Sequence, residues 1–289
     1  MNFWEKLKIE FAKGNSAIRQ LIIINAAFFI VAALIGFVAH LYNQTAQDVL
    51  VYLELPSWGS EFFKRPWTLV TYMFLHIGFF HFLFNMLLLY MIGRIAEDFI
   101  SRERIFMLYL GGGIVGGLLY LVIYNVFPAF TSLPSWVPML GASGAVIAVV
   151  VGTATLLPNY EVFLFGMFRL KLVWIALYLV AMDILFFPNG NEGGRLAHLG
   201  GALFGFLFIR YIQGRLGFTF PNKLKRLFEG KRKGIDERDI VRNRNHAQSK
   251  AKTSNPNQDE VDAILDKINQ SGYGSLSQAE KEKLFRASE

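Results

Sequence analysis

Ser143 lies in the segment Gly141-Ala142-Ser143-Gly144, and His198 in Ala197-His198-Leu199-Gly200-Gly201, each bordering an apolar run. A serine and a histidine so placed suit a nucleophile and the base that activates it. Polar and ionisable side chains inside apolar runs are costly, which makes them functional candidates by default. As the first residue of a helix, Ser143 would meet free N–H groups and the positive helix end, both favourable to an oxyanion. Gly141 and Gly144 permit a tight turn and close approach of another backbone. His81 and Asn85 are four residues apart and share one helix face, so their side-chain donors could converge on a developing oxyanion. His76 precedes His81 by five residues and falls off that face, at the helix start. Metal binding by the two histidines is the rival reading. The run lacks both an HExxH pattern and any carboxylate, so no metal and no cofactor are expected. Asp183 stands alone in another apolar run and reads as a structural acid hydrogen-bonded across helices. Nothing in the sequence singles out a third residue to orient His198, so a Ser-His dyad is expected.

These residues need elements to carry them. The 289-residue chain is 53% hydrophobic and 18% charged, with a mean hydropathy of +0.36. Soluble domains average about 25% charged residues. The apolar residues come in long runs, the signature of a membrane protein. The absence of cysteine excludes disulfides and thiolate chemistry. Six spans are predicted, over residues 17–41, 79–96, 105–126, 143–157, 172–187 and 197–213, which makes the fold an all-α six-helix membrane bundle. The first is read as a retained span, because no small-residue cleavage site precedes it. Small residues at four-residue spacing stripe the fourth span (Gly144, Ala148, Gly152) and the sixth (Ala197, Gly201, Gly205). Such stripes let two helices pack backbone to backbone. Ser143 and His198 each adjoin the first member of a stripe, so facing stripes would bring them together.

Lys6, Lys8, Lys13, Arg19, Arg94, Arg102, Arg104, Arg169 and Lys171 fall on one side of this topology, against Lys64, Arg65 and Arg195 on the other. The positive-inside rule then places both termini in the cytoplasm. Residues 43–71 are rich in aromatic and aliphatic side chains and read as an amphipathic segment at the interface. Residues 127–142 carry three prolines and no charge, and read as a loop dipping into the bilayer to deliver a short fourth span. The domain organisation follows: a cytosolic N-terminus (1–16), the six-span core (17–214), a basic flexible linker (215–258) and a C-terminal helical hairpin (259–289). Twelve Lys/Arg lie between Arg215 and Lys252, against four acids. That stretch reads as a cytosolic tail beside anionic lipid rather than as a nucleic-acid site. In the hairpin, Val261, Ile264, Leu265 and Ile268 follow helical spacing, and Ser277 with Glu280 forms a capping-box pattern. The small apolar stripe suggests a cytosolic partner, of unknown identity.

Together these motifs resemble the rhomboid family of intramembrane serine proteases, over residues 67–213. The resemblance implies that Ser143 attacks a peptide carbonyl, that His198 is the general base, and that His81, Asn85 and the Ser143 N–H stabilise the oxyanion. Trp67 and Glu97 fall where the family carries structural residues around its first loop. Two positions depart from the family pattern: Thr68 stands where Arg is frequent, and Ile147 where many members stack an aromatic on the histidine. The tail resembles those of some bacterial members, which implies a bacterial inner membrane. Expected substrates are single membrane spans with Gly, Pro or small residues that unwind easily. The alternative is an inactive rhomboid-like protein that binds membrane clients. No inverted repeat supports a transporter.

Overall fold

The computed structural model describes residues 16–76, 78–131, 137–164, 168–188, 190–215, 258–271 and 275–286. Nearly all of the expected cytosolic N-terminus and of the basic linker lies outside the described residues. The chain divides into two units, Met1–Lys233 and Gly234–Glu289.

The first unit opens with α1 (Ala17–Leu41), capped by the Ser16 hydroxyl, which accepts from the Arg19 N–H. Three short helices follow, α2 (Ala46–Leu50), α3 (Gly59–Lys64) and α4 (Thr68–Thr71), in the segment expected to be amphipathic. Next come α5 (Phe79–Glu97), α6 (Arg102–Val126), the single turn α7 (Pro128–Thr131) and α8 (Ser143–Leu156). A β-hairpin, β1 (Glu161–Leu164) with β2 (Phe168–Lys171), leads to α9 (Leu172–Leu185) and α10 (Glu192–Ile212). Helices α1, α5 and α6 are long and apolar enough to cross a membrane, while α8 and α9 are apolar but only 14 residues each.

Two expectations need correction. The unit is not wholly helical: β1 and β2 pair antiparallel, with Phe163 opposite Arg169. The guanidinium of Arg169 lies 5.0 Å from the Phe163 ring centroid, a cation–π contact that reinforces the register. The last helix also begins at Glu192, five residues before the expected start at 197. Its first turn, Glu192-Gly193-Gly194-Arg195, is polar and invisible to a hydropathy reading, yet an acid there favours a helix N-terminus.

The core lies where α6, α8 and α10 meet. Helix α8 is apolar on every side and buried along nearly its whole length, as a central helix must be. The two small-residue stripes do face each other. A Cβ on Gly144 would stand 2.9 Å from the Ala197 carbonyl oxygen, and Cβ atoms on Gly201 and Gly205 would collide with the carbonyls of Gly144 and Ala148. Helix α1 stays at the periphery, with Ile30, Leu34, Phe37 and Leu41 exposed. Its one fully buried amide, Asn25, is satisfied by the Tyr109 hydroxyl at 3.0 Å. Glu97 ties α5 to the start of α1, accepting from Ser16 Oγ (3.0 Å) and the Ile18 N–H (2.9 Å). It also pairs with Arg94 at 3.2 Å, and among the described residues the first loop supplies it no partner.

In the second unit, α11 (Gln258–Ser271) and α12 (Gln278–Arg286) are bridged by Lys267 and Glu280 at 2.8 Å. The capping box forms: the Ser277 N–H donates to Glu280 (2.7 Å), and the Glu280 N–H to Ser277 Oγ (3.4 Å). The predicted apolar stripe splits, with Ile264 buried and Leu265 half exposed.

Candidate active site

Ser143 is the first residue of α8, as expected. The segment that delivers it is tied down from several sides. Met139 pairs with Leu55 through two backbone hydrogen bonds of 2.8 and 2.9 Å, and the Gly141 N–H donates to the Tyr72 carbonyl at 2.9 Å. The Val137 N–H donates to Ser57 Oγ at 2.9 Å, and the Tyr120 hydroxyl donates to the Val137 carbonyl. Gly141 has a φ of +129°, a conformation closed to other residues without strain. The first hydrogen bond of the helix runs from Val146 to Ala142. Among the described residues, the N–H groups of Ser143, Gly144 and Ala145 therefore take no partner and cluster at the positive helix end.

His198 lies on the second turn of α10. Its Nδ1–H donates to the Asp183 carboxylate at 2.9 and 3.0 Å. In the neutral ring, an Nδ1–H directed at the carboxylate leaves the Nε2 lone pair available, as a base requires. Both side chains are largely shielded, with 21% and 13% of their area exposed. The sequence reading assigned His198 no orienting partner. The structure supplies one, and the acid expected to bond across helices does so to His198 itself. Ser143 and His198 share no hydrogen bond among the described residues. They are held close by their neighbours, since Gly144 packs against Ala197.

His81 and Ser143 approach each other across Gly141. The His81 ring and Ser143 Oγ both lie within 4 Å of the point that a Gly141 Cβ would occupy. Asn85 lies one turn along α5, buried, and its amide donates to the His81 carbonyl at 2.8 Å. One of its two N–H bonds remains for another acceptor. His76 lies before the helix start, buried against the rings of His81 and Phe82, with centroids 5.4 Å away in each case. Among the described residues, no three His, Asp or Glu side chains converge as a metal site would require.

Beside His81 opens a cavity of about 400 Å³, walled by Gln47, residues 137–140 and residues 191–194. Gln47 reaches it from α2 and donates to Glu54, which is fully buried. Sequence reasoning missed both residues. The one signal was an acid between Leu53 and Leu55 in a segment otherwise read as interfacial. The two departures from the family pattern are both structurally satisfied. Thr68 is buried and donates to the Arg65 carbonyl (2.6 Å), and Ile147 is buried in α8. Trp67 binds the first loop, donating from Nε1 to the Tyr52 carbonyl at 2.9 Å.

Comparison with known proteins places this arrangement. Residues 64–215 match the rhomboid domain, and residues 250–289 match a family of unknown function (DUF6576). The chain belongs to the rhomboid family. It is 36% identical over 149 residues to RHOMBOID-like protein 12, mitochondrial, of Arabidopsis thaliana, a match covering 48% of this chain and 44% of that protein. It is 31% identical over 144 residues to presenilin-associated rhomboid-like protein A, mitochondrial, of Danio rerio, covering 48% and 35%. It is also 30% identical over 146 residues to inactive rhomboid-related protein 2 of Caenorhabditis elegans, covering 49% and 39%. In each case the rhomboid relative is matched over less than half its length.

Proposed function

We propose that this chain is an intramembrane serine endopeptidase that hydrolyses peptide bonds in the spans of single-pass membrane proteins. The observation that carries the proposal is the Asp183–His198 pair, which presents a free Nε2 beside the helix end that bears Ser143. In the proposed reaction Ser143 Oγ attacks the scissile carbonyl and His198 Nε2 takes its proton. The free N–H groups of α8, with Asn85 and His81, receive the oxyanion. The imidazolium then gives the proton to the leaving amine, and water hydrolyses the acyl-enzyme by the same steps. Apo enzymes commonly lack the nucleophile–base hydrogen bond, which tightens once substrate binds. Leu140 supports an extended substrate: beside the paired Met139, its N–H and carbonyl take no partner among the described residues, so an unwound segment can add a strand there.

On this reading residues 17–214 form a six-span catalytic core, with α8, α9 and α10 completing the three helices already long enough to cross. Both termini face the cytoplasm of a bacterial inner membrane, the stretch 215–258 lies against anionic lipid, and the 259–289 hairpin docks on a cytosolic partner. The missing Ser143–His198 hydrogen bond favours a second reading, a client-binding protein without turnover. Labelling with a fluorophosphonate probe, together with cleavage of a reconstituted transmembrane substrate, decides between them. The protease reading expects labelling and cleavage by the native protein and neither by Ser143→Ala. Turnover by folded Ser143→Ala protein, or an inert native protein, would overturn it.

A further inference from the structure

The cavity beside His81 is electrically one-sided. Among its described lining residues Glu192 is the one carboxylate, and no lysine or arginine lines it. The cation nearest to Glu192 in the helix is Arg195, which does not line the cavity and forms no ion pair with Glu192 among the described residues; its Nη1 donates to the carbonyls of Phe187 (3.2 Å) and Gly190. Across the cavity, the Gln47 amide nitrogen is engaged by Glu54, which is itself shut away from solvent. The Gln47 side-chain oxygen is thereby left as an acceptor. The walls thus present a carboxylate and an amide oxygen to whatever side chain enters beside the proposed oxyanion site.

We infer that Glu192, with Gln47, makes this cavity a specificity subsite for a lysine or arginine side chain of the substrate close to the scissile bond. The inference rests on the protease reading of the site. A volume of about 400 Å³ accommodates a long side chain, whose methylenes can lie along Met139 and Leu140 while its charge reaches Glu192. An acidic residue at the same substrate position would meet like charge. Lysine and arginine are scarce on the non-cytoplasmic flank of membrane spans. A subsite for them there would single out a minority of spans rather than accept all of them.

The test uses the full-length protein and transmembrane peptides that carry Lys, Gln or Glu at each position flanking the cleaved bond. Hydrolysis is followed with the native protein, and binding with Ser143→Ala, each alone and combined with Glu192→Gln or Glu192→Lys. At one position the native protein should favour Lys over Glu by about fivefold in kcat/KM, the scale of a partly exposed ion pair. Glu192→Gln should bring that ratio near one, and Glu192→Lys should invert it. Glu192 also sits in the first turn of α10, but a purely structural role there would change stability and not the Lys/Glu ratio. Cleavage with no charge preference, or a preference that persists in Glu192→Gln, would overturn the subsite and leave the protease reading intact. Charge-selective binding without hydrolysis would overturn the protease reading and leave the subsite standing.

Discussion

Asp183→Asn is the substitution most informative about the proposed reaction. The carboxylate and the His198 imidazole meet at 2.9 and 3.0 Å, with 13% and 21% of their side-chain areas exposed, so water screens the bond only partly. A hydrogen bond to a charged group contributes about 1.5–3 kcal/mol, and about 1.36 kcal/mol is a factor of ten in rate. Asparagine keeps the shape but not the charge. It can also turn its amide donor towards Nδ1, which would place the proton on Nε2, where the mechanism needs a lone pair. The expected loss is therefore about 10- to 100-fold in kcat, with KM changed by less than about threefold. Asp183→Ala should lose at least as much rate and also stability, since it opens a gap between α9 and α10. The assay is cleavage of a reconstituted transmembrane substrate, with fluorophosphonate labelling as a direct report on Ser143. If Asp183→Asn labels and cleaves at the native rate, the acid only packs the helices, and the assignment of His198's orienting partner is wrong.

Three further outcomes follow from the geometry. Gly201→Ala should drive a methyl group into the Gly144 carbonyl and force α8 and α10 apart, costing about 1–3 kcal/mol and lowering the thermal midpoint in detergent; an unchanged midpoint would contradict the backbone contact. Asn85→Ala should cut kcat by about a hundredfold with KM nearly constant, and a raised KM at native kcat would remove Asn85 from the oxyanion site. Burial pushes the Glu54 carboxyl from 4.5 up to about 7, so its neutral form is the one the fold favours. Its contribution to stability should be full below about pH 4.5 and lost progressively as pH rises from there through about 7. Glu54→Gln should flatten that slope, and equal pH profiles for the two proteins in thermal melts would refute it.

The central packing was legible in the sequence because glycine spacing carries phase: Gly144 and Ala148 could be paired with Ala197, Gly201 and Gly205 from their four-residue intervals alone. Ser143 at a helix start was legible for the same reason, with glycines on both sides of a short apolar run. The Asp183–His198 bond was not. It depends on how α9 is rotated about its axis, and a helix made of Leu, Val, Ile and Trp on all faces carries no such phase in its sequence. The β-hairpin was missed because strands of four residues are too short to show alternation. Glu54 was missed because a loop acid reads as solvated until a fold closes over it.

Residues 137–142 owe their position to partners far away in the chain: Leu55, Ser57, Tyr72 and Tyr120 hold the approach to Ser143, and Asp183 and His198 arrive after it. The brace is thus synthesised first, the nucleophile second and the base last. On the protease reading, a growing chain would carry its serine without its base, chemically idle, until α9 and α10 have been made and α10 packs against α8. On that reading the order of synthesis acts as a safety catch, sparing neighbouring spans at the insertion site until the proposed catalytic pair is complete.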